Sequence, residues 1–404
     1  MKSKNFSFCI ALAVLLFEIS AFASTTRVRS MGDVGLIFRD HSNIWLFPSN
    51  VTRFGNLVIL ELGGQRELID YLPAQAGFDP SGGALISFGV NQQHVIGGFF
   101  GDSSERLPFA PVDPITGQPV AMNRRMDLFY GMNQAHTSFG WQLTYASGGH
   151  QSSSTFGSTN NARARLLGLA FGVTHASDKS GTLDATLRYE YHSYEVMRAS
   201  RADERSRGGH HVNLLSRWVK TLNERVEIVP FLGFAIGSDG RDLGNSQTED
   251  LTQSRIFSGT GLNFQPDSIN VFSLGFSLLR ARETTTTDFG TSAIKLTQTT
   301  WRLPFVFGGV ETTLFKCLQV RFGFQKALQS VSRKTRTVGL ASNDESEDKR
   351  SEGPFELAFG LGIHHRQLTI DFSLDPDYFK RGVYFLGGTQ GKMFNLVTMT
   401  YGLR

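Results

Sequence analysis

Side chains capable of chemistry first stand together at Asp40, His41 and Ser42, within the stretch FRDHSNIWLFPSNV at 38–51. Carboxylate, imidazole and hydroxyl are the parts of a hydrolytic triad, in which each group must hydrogen-bond the next. Consecutive residues on a regular backbone do not achieve that. Strand neighbours point to opposite faces, and adjacent residues on a helix diverge. No GxSxG stretch marks a nucleophile elbow elsewhere. The stretch therefore reads as a polar turn into a short helix. Asp40 is placed to accept backbone N–H bonds, and Pro48 ends the helix by disfavouring helical geometry at Phe47.

Two histidine pairs, His210-His211 and His364-His365, invite a metal reading. Adjacent imidazoles on a strand point apart, and neither pair has a partner set at zinc spacing. Solvated positions near membrane-boundary turns are expected. The run RASRADERSRGG at 198–209 holds four arginines, and guanidinium forks match the phosphates of lipopolysaccharide. Asp203 and Glu204 within it make a solvated mixed-charge loop the plainer reading. No catalytic residue, metal or cofactor is expected, and the chain is not expected to be an enzyme.

The elements that position these groups follow from the hydropathy pattern. The chain of 404 residues contains 34 phenylalanines and 43 glycines, and its apolar stretches are interrupted at every second residue. In TSFGWQLTYAS, Phe139, Trp141, Leu143 and Tyr145 share a face opposite Ser138, Gly140, Gln142 and Thr144. LLGLAFGVTH repeats the pattern, as do LDATLRYEYH, VEIVPFLGFAI, VRFGFQ, FELAFGLGI and LTIDFSL. Period two is the signature of strands with one apolar face. Pro230 and Pro304 should each bring a bulge, since proline donates no ladder bond.

Residues 1–23 read as a secretory signal peptide: Lys2 and Lys4, an apolar run from Phe6 to Phe17, and Ala21-Phe22-Ala23 as a cleavage site. Its removal takes two lysines and one glutamate, moving the formal charge from +4 to +3. That balance carries no nucleic-acid footprint. Cys9 leaves with the signal, so Cys317 remains alone and forms no internal disulfide. No later run is long and apolar enough for a spanning helix.

Connections between the strands alternate in length. Short ones fall at 91–93, 134–136, 176–180, 222–224, 265–268, 314–317 and 364–367. Long polar ones fall at 102–125, 148–161, 198–208, 239–253, 334–352 and 376–391. Short turns on one side and long loops on the other are the pattern of an outer-membrane barrel. Closure pairs every backbone group in a medium without water. The expected fold is an all-β transmembrane antiparallel barrel of 14–16 strands, spanning 55–404, in the outer membrane of a Gram-negative bacterium after Sec-dependent export. The apolar row then faces lipid, and the Gly, Ser, Thr and charged row faces the lumen. Lumen candidates are Glu61, Asp184, Arg188, Glu190, His192, Arg217, Glu227, Glu311, Arg321, Glu356 and Asp371. The last strand, NLVTMTYGLR, keeps an apolar row to Leu403, similar to a barrel-assembly signal, although Arg404 replaces the usual terminal aromatic.

RVRSMGDVGLIFRDHSNIWLFPSNVTRF resembles the N-terminus of the outer-membrane long-chain fatty-acid transporter (FadL) superfamily. Gly32, Gly35, Asp40 and Pro48 match its pattern, while Arg39, Phe47, Ser49 and Asn50 depart from it. WRLPFVFGGVETTLFKCLQVRFGFQ and FELAFGLGIHHRQLTIDFSL are similar to its closing strands through Leu303, Pro304, Gly309, Glu311, Arg321, Gly323, Gly360, Gly362 and Asp371. The resemblance implies that residues 24–54 fold back inside as a plug, with Asp40, His41, Asn43, Trp45 and Pro48 as gating candidates. It implies diffusive passage of apolar molecules without ATP, and fourteen strands as the usual count. A related branch serves protein secretion. Expected partners are outer-membrane lipid and lipopolysaccharide, a hydrophobic small-molecule ligand, and a protein held by the long loops. Apolar loop segments at 68–78 and 107–120 are candidates for an external binding surface.

Overall fold

The computed structural model describes residues 24–63, 80–103, 124–153, 159–177, 181–197, 203–244, 246–315, 317–339, 343–374 and 394–403. The signal segment, both apolar loop segments and the connection at 376–391 lie outside the described residues.

Short elements come first: helix α1 (Thr25–Ser30), a 3-10 turn (Val34–Leu36), helix α2 (Asn43–Leu46) and a second 3-10 turn (Pro48–Thr52). Strands follow: β1 (Leu57–Gly63), β2 (Pro80–Gly89), β3 (His94–Ser103), β4 (Arg124–Gln134), β5 (Thr137–Ser153), β6 (Thr159–Ser177) and β7 (Gly181–Met197). Next are β8 (Glu204–Asn223), β9 (Val226–Gly244), β10 (Gln247–Phe264), β11 (Asn270–Asp288), β12 (Ser292–Phe315) and β13 (Leu318–Gly339). The last are β14 (Asn343–Glu352), β15 (Phe355–His365), β16 (Leu368–Leu374) and β17 (Phe394–Gly402).

Each strand pairs antiparallel with its sequence neighbour, and β17 returns to pair with β1 from Leu57↔Gly402 to Gly63↔Leu396. β14 and β15 both pair with β13, one beyond the other, so they form a single stave interrupted at Gly353-Pro354. Seventeen strand segments thus make sixteen staves. The sheet is a closed antiparallel barrel, and closure leaves no strand edge to satisfy. Sixteen departs from the fourteen that the family resemblance implies.

Side chains sort by face as the alternation requires. Leu169, Leu187, Leu232 and Leu274 point outward with exposures of 55%, 51%, 50% and 51%, amid a continuous belt of leucine, phenylalanine and tyrosine. An apolar surface of that extent is stable only against hydrocarbon. The barrel is therefore transmembrane.

Strand ends meet the seven short connections. At one of them Asp267 Oδ1 accepts the backbone N–H groups of Ile269 and Asn270, both at 2.8 Å, which fixes the reversal into β11. The long side differs from expectation. Residues 239–253 and 334–352 are mostly strand: β9 continues to Gly244 and β10 resumes at Gln247, and β13 continues to Gly339 with β14 resuming at Asn343. Much of 148–161 and 198–208 is strand as well. Beyond the membrane both faces meet water, so the period-two apolar signal vanishes while the ladder continues.

The two prolines also part company. Register shifts around Pro304, between Ser277 and Leu279 and between Arg302 and Phe305, give the expected bulge. Pro230 instead pairs with Thr260 of β10 in unbroken register, while against β8 the ladder lapses between Arg217↔Phe231 and Lys220↔Ile228 without a shift, so pairing breaks locally but no bulge forms there.

Candidate functional site

The residues that share the barrel interior converge on the N-terminal segment, which touches strands from opposite sides of the ring. Ser24 caps α1, its Oγ accepting the Arg27 amide at 3.2 Å and donating to Asp371 Oδ2 at 2.6 Å. From the same helix Arg27 forks onto Glu311, with Nε to Oε2 at 2.6 Å and Nη2 to Oε1 at 2.5 Å. Arg321 of β13 completes the set. It donates to Glu311 Oε2 and to Asp371 Oδ1, both at 2.6 Å, and to Gln319 Oε1 at 2.7 Å. Two guanidiniums thus face two carboxylates in a buried array. Three of its four charges belong to the barrel and one to the segment.

A second anchor holds the middle of the segment. Arg217 of β8 pairs with Asp184 of β7 at 2.8 Å and donates to the Leu36 and Phe38 carbonyls at 3.1 Å and to Asn43 Oδ1 at 2.7 Å. The Phe47 ring lies 4.7 Å beneath its guanidinium carbon. A planar five-donor group suits this role, because it satisfies several carbonyls of one tight turn at once. Asn43 also donates to the Gly35 carbonyl at 2.8 Å, tying α2 back to the preceding 3-10 turn.

Trp45 supplies a third anchor. Its Nε1–H donates to Asp127 Oδ2 at 3.2 Å, and its ring packs edge-on against Phe99 and Phe129. Arg188 donates to the Trp45 carbonyl and to Gln142 Oε1, and it pairs with Glu190 at 3.5 Å. Pro48 begins the last 3-10 turn, where Ser49 exchanges a 2.8 Å hydroxyl hydrogen bond with Thr174.

Asp40, His41 and Ser42 do not assemble a triad. Asp40 Oδ1 accepts the Ser42 amide at 2.6 Å, and the His41 ring packs edge-on against Phe54 at 4.4 Å. Phe47 is extended, so α2 stops before Pro48. Asp40 is fully buried, and its Oδ2 has no hydrogen-bond partner among the described residues. Burial raises its pKa to about 7, against the opposing pull of Arg27 and the Ser42 hydrogen bonds. The unfolded value lies lower, so the folded chain binds the extra proton between about pH 4 and 7. Stability conferred by that proton is present at the acidic end and lost as pH rises through about 7. Asp40→Asn should flatten this dependence. Thermal midpoints across that pH window check it: a slope of wild-type size in the variant assigns the dependence to another group.

All eleven lumen candidates lie on interior faces, and they divide into groups. Glu311, Arg321 and Asp371 meet at α1, Asp184 and Arg217 at α2, and Arg188 with Glu190 below Trp45. Glu227 reaches Asn263 at 3.5 Å, and Asn263 holds the Ile37 carbonyl at 2.8 Å. His192 stands apart from the segment, paired with Asp239 at 2.9 Å. Glu61 is buried on β1, and Glu356 is half-buried on β15 opposite Gln325.

Two expectations need correction. His364 is buried rather than solvated, bonding Gln319 at 2.7 Å and Thr369 at 3.0 Å, because it falls on the interior face of β15. The interior is also less polar than expected. Phe231, Phe257, Phe305 and Phe307 face inward and form one cluster with Met31, Val34, Leu36, Ile37 and Phe47 of the segment. Asp127, Arg27 and Ser24 are the anchoring residues that the sequence reading passed over. For Asp127 the available signal was its place between Arg125 and Phe129 in an alternating row.

No family model and no curated protein matches this sequence. Among solved structures, the alcaligin outer-membrane receptor FauA from Bordetella pertussis matches at 8% identity and TM-score 0.41, over 85% of this chain and 75% of that one. The ferric-catecholate import receptor Fiu from E. coli K12 matches at 6% identity and TM-score 0.38, over 85% and 81%. The ferric yersiniabactin uptake receptor FyuA from Yersinia pestis matches at 8% and 0.39, over 85% and 79%. At these values the three proteins do not inform what this barrel carries.

Proposed function

We propose that this protein is a passive outer-membrane transporter of hydrophobic small molecules such as fatty acids or aromatic hydrocarbons, closed at rest by residues 24–54 acting as a plug. The observation that carries this reading is the interior aromatic wall. Phe231, Phe257, Phe305 and Phe307 line the barrel where the plug's own apolar residues rest. When the plug shifts, it uncovers a surface suited to an apolar solute and poorly suited to a hydrated one. The polar anchors hold the plug in place. The matching residues near both ends of the barrel support kinship with the fatty-acid transporter superfamily, in a sixteen-stave form. Uptake of labelled fatty acids and aromatic hydrocarbons by cells with and without the gene tests the proposal; equal uptake across a broad panel of such ligands rejects it.

A second reading, an adaptor that holds a protein partner, is favoured by the hairpins β9–β10 and β13–β14, which extend polar strands beyond the apolar belt. Crosslinking in whole cells followed by extraction separates the two. A stoichiometric protein partner together with absent uptake selects the adaptor. A general porin, the remaining alternative, requires large steady conductance from the intact chain in planar bilayers.

A further inference from the structure

The outward face of the barrel carries a cationic site that the interior does not use. On β11 the outward row runs Phe272, Leu274, Phe276 and Leu278, then changes abruptly to Arg280 and Arg282. Arg280 lies over the ring of Trp301, its cross-strand neighbour on β12, at 5.3 Å. Farther along, Lys295 of β12 stands opposite Arg336 of β13. Among the described residues none of these four cations forms an ion pair, although Glu345 stands opposite Arg336 in the ladder.

The outward arginines of β8 behave differently. Arg205 pairs with Glu195 and Arg207 with Asp250, each at 2.5 Å. Where it is described, the run at 198–209 that suggests phosphate binding is therefore neutralised by neighbouring strands, whereas the four cations on β11–β13 are not. Its level is informative. The change from Leu278 to Arg280 occurs on the half of β11 away from the short turns, which in such a barrel faces the outer leaflet. A guanidinium there leaves the hydrocarbon and meets lipid headgroups, and an exposed tryptophan beside it is the residue that prefers that boundary. Arg280 and Arg282 project side by side about 7 Å apart along the strand, each able to fork onto phosphate oxygens.

We propose that Arg280 and Arg282, extended outward by Lys295 and Arg336, bind the phosphates of an acylated glycolipid of the outer leaflet, whose chains lie on the apolar row below. The inference rests on the outer-membrane placement and is independent of transport. Inorganic phosphate offers the same oxygens, so the test compares both sources. Purified full-length protein in detergent is titrated by native mass spectrometry with diphosphorylated lipid A, with the same lipid dephosphorylated, and with inorganic phosphate alone. The diphosphorylated lipid should bind tightest. The double variant R280A/R282A should lose about a hundredfold in affinity, roughly tenfold for each charge-assisted contact removed, while R205A stays at the wild-type value. Because both residues are exposed, heat-modifiable migration should confirm that each variant still forms the barrel. Wild-type affinity in R280A/R282A, equal binding of the dephosphorylated lipid, or phosphate binding as tightly as the lipid would each overturn the assignment.

Discussion

Arg321→Met is expected to lower the unfolding free energy by about 3–5 kcal/mol, the cost of leaving a buried charge without its partner. Arg321 is fully buried and, among the described residues, is the group that joins Glu311 to Asp371. Without it Glu311 keeps the fork from Arg27, but among the described residues Asp371 retains the hydroxyl of Ser24 alone. A lone carboxylate in that interior must protonate, draw in water or push α1 away. Urea midpoints in micelles measure the loss, and proteolysis within residues 24–54 reports whether α1 has left its seat. A double variant, R321M/D371L, separates charge from packing. It leaves Arg27 and Glu311 as a neutral pair and should recover most of the stability, since replacing a buried pair by apolar groups is often tolerated. If the double variant is as unstable as the single one, the array is not held by charge matching.

The second large effect is steric. Gly140 on the interior face of β5 lies beneath the turn at Pro48, and a Cβ built there would stand 2.2 Å from the Pro48 carbonyl carbon and 2.2 Å from the Ser49 nitrogen. Both atoms belong to backbone, so neither can rotate aside. Gly140→Ala should displace the Pro48–Thr52 turn, break the Ser49–Thr174 hydrogen bond and cost about 1–3 kcal/mol as an overpacked contact. The barrel ladder itself is not where the nearest clashes fall, because those atoms lie in the N-terminal segment. Gly98 on the outward face of β3, where a Cβ meets nothing nearer than 3.6 Å, provides a glycine-to-alanine control away from the segment as Gly98→Ala. Labelling of a cysteine at position 49 should accelerate in the first background and stay at the wild-type rate in the second. Equal rates in both would place the turn elsewhere.

These effects sit where sequence and structure agree in unequal measure. Alternation in stretches such as LDATLRYEYH is imposed by the backbone itself, so it was legible without any partner strand. The same logic placed Asp184 and Arg217 on one interior face. It could not show that Arg217 meets Asn43, because that contact joins residues 174 positions apart. Interior phenylalanines such as Phe305 and Phe307 misled the simple rule of polar lumen and apolar exterior. A lumen occupied by an apolar segment needs an apolar lining, and period two carries no label for which side is which. Strand extensions such as 239–244 lost the signal for the opposite reason: with water on both faces, the ladder persists without any hydropathy contrast.

Under the proposed transport function, residues 24–54 must move for solute to pass. Ser49 and Thr174 place their hydroxyl oxygens 2.8 Å apart across the boundary between the N-terminal segment and the barrel. Cysteines at both positions, in a Cys317→Ser background, would lock that boundary when oxidised and free it when reduced. Uptake of a labelled long-chain fatty acid by cells carrying this variant is the direct measurement. Uptake should stop on oxidation and return with reductant. Undiminished uptake by the fully crosslinked protein would rule out passage by displacement of residues 24–54.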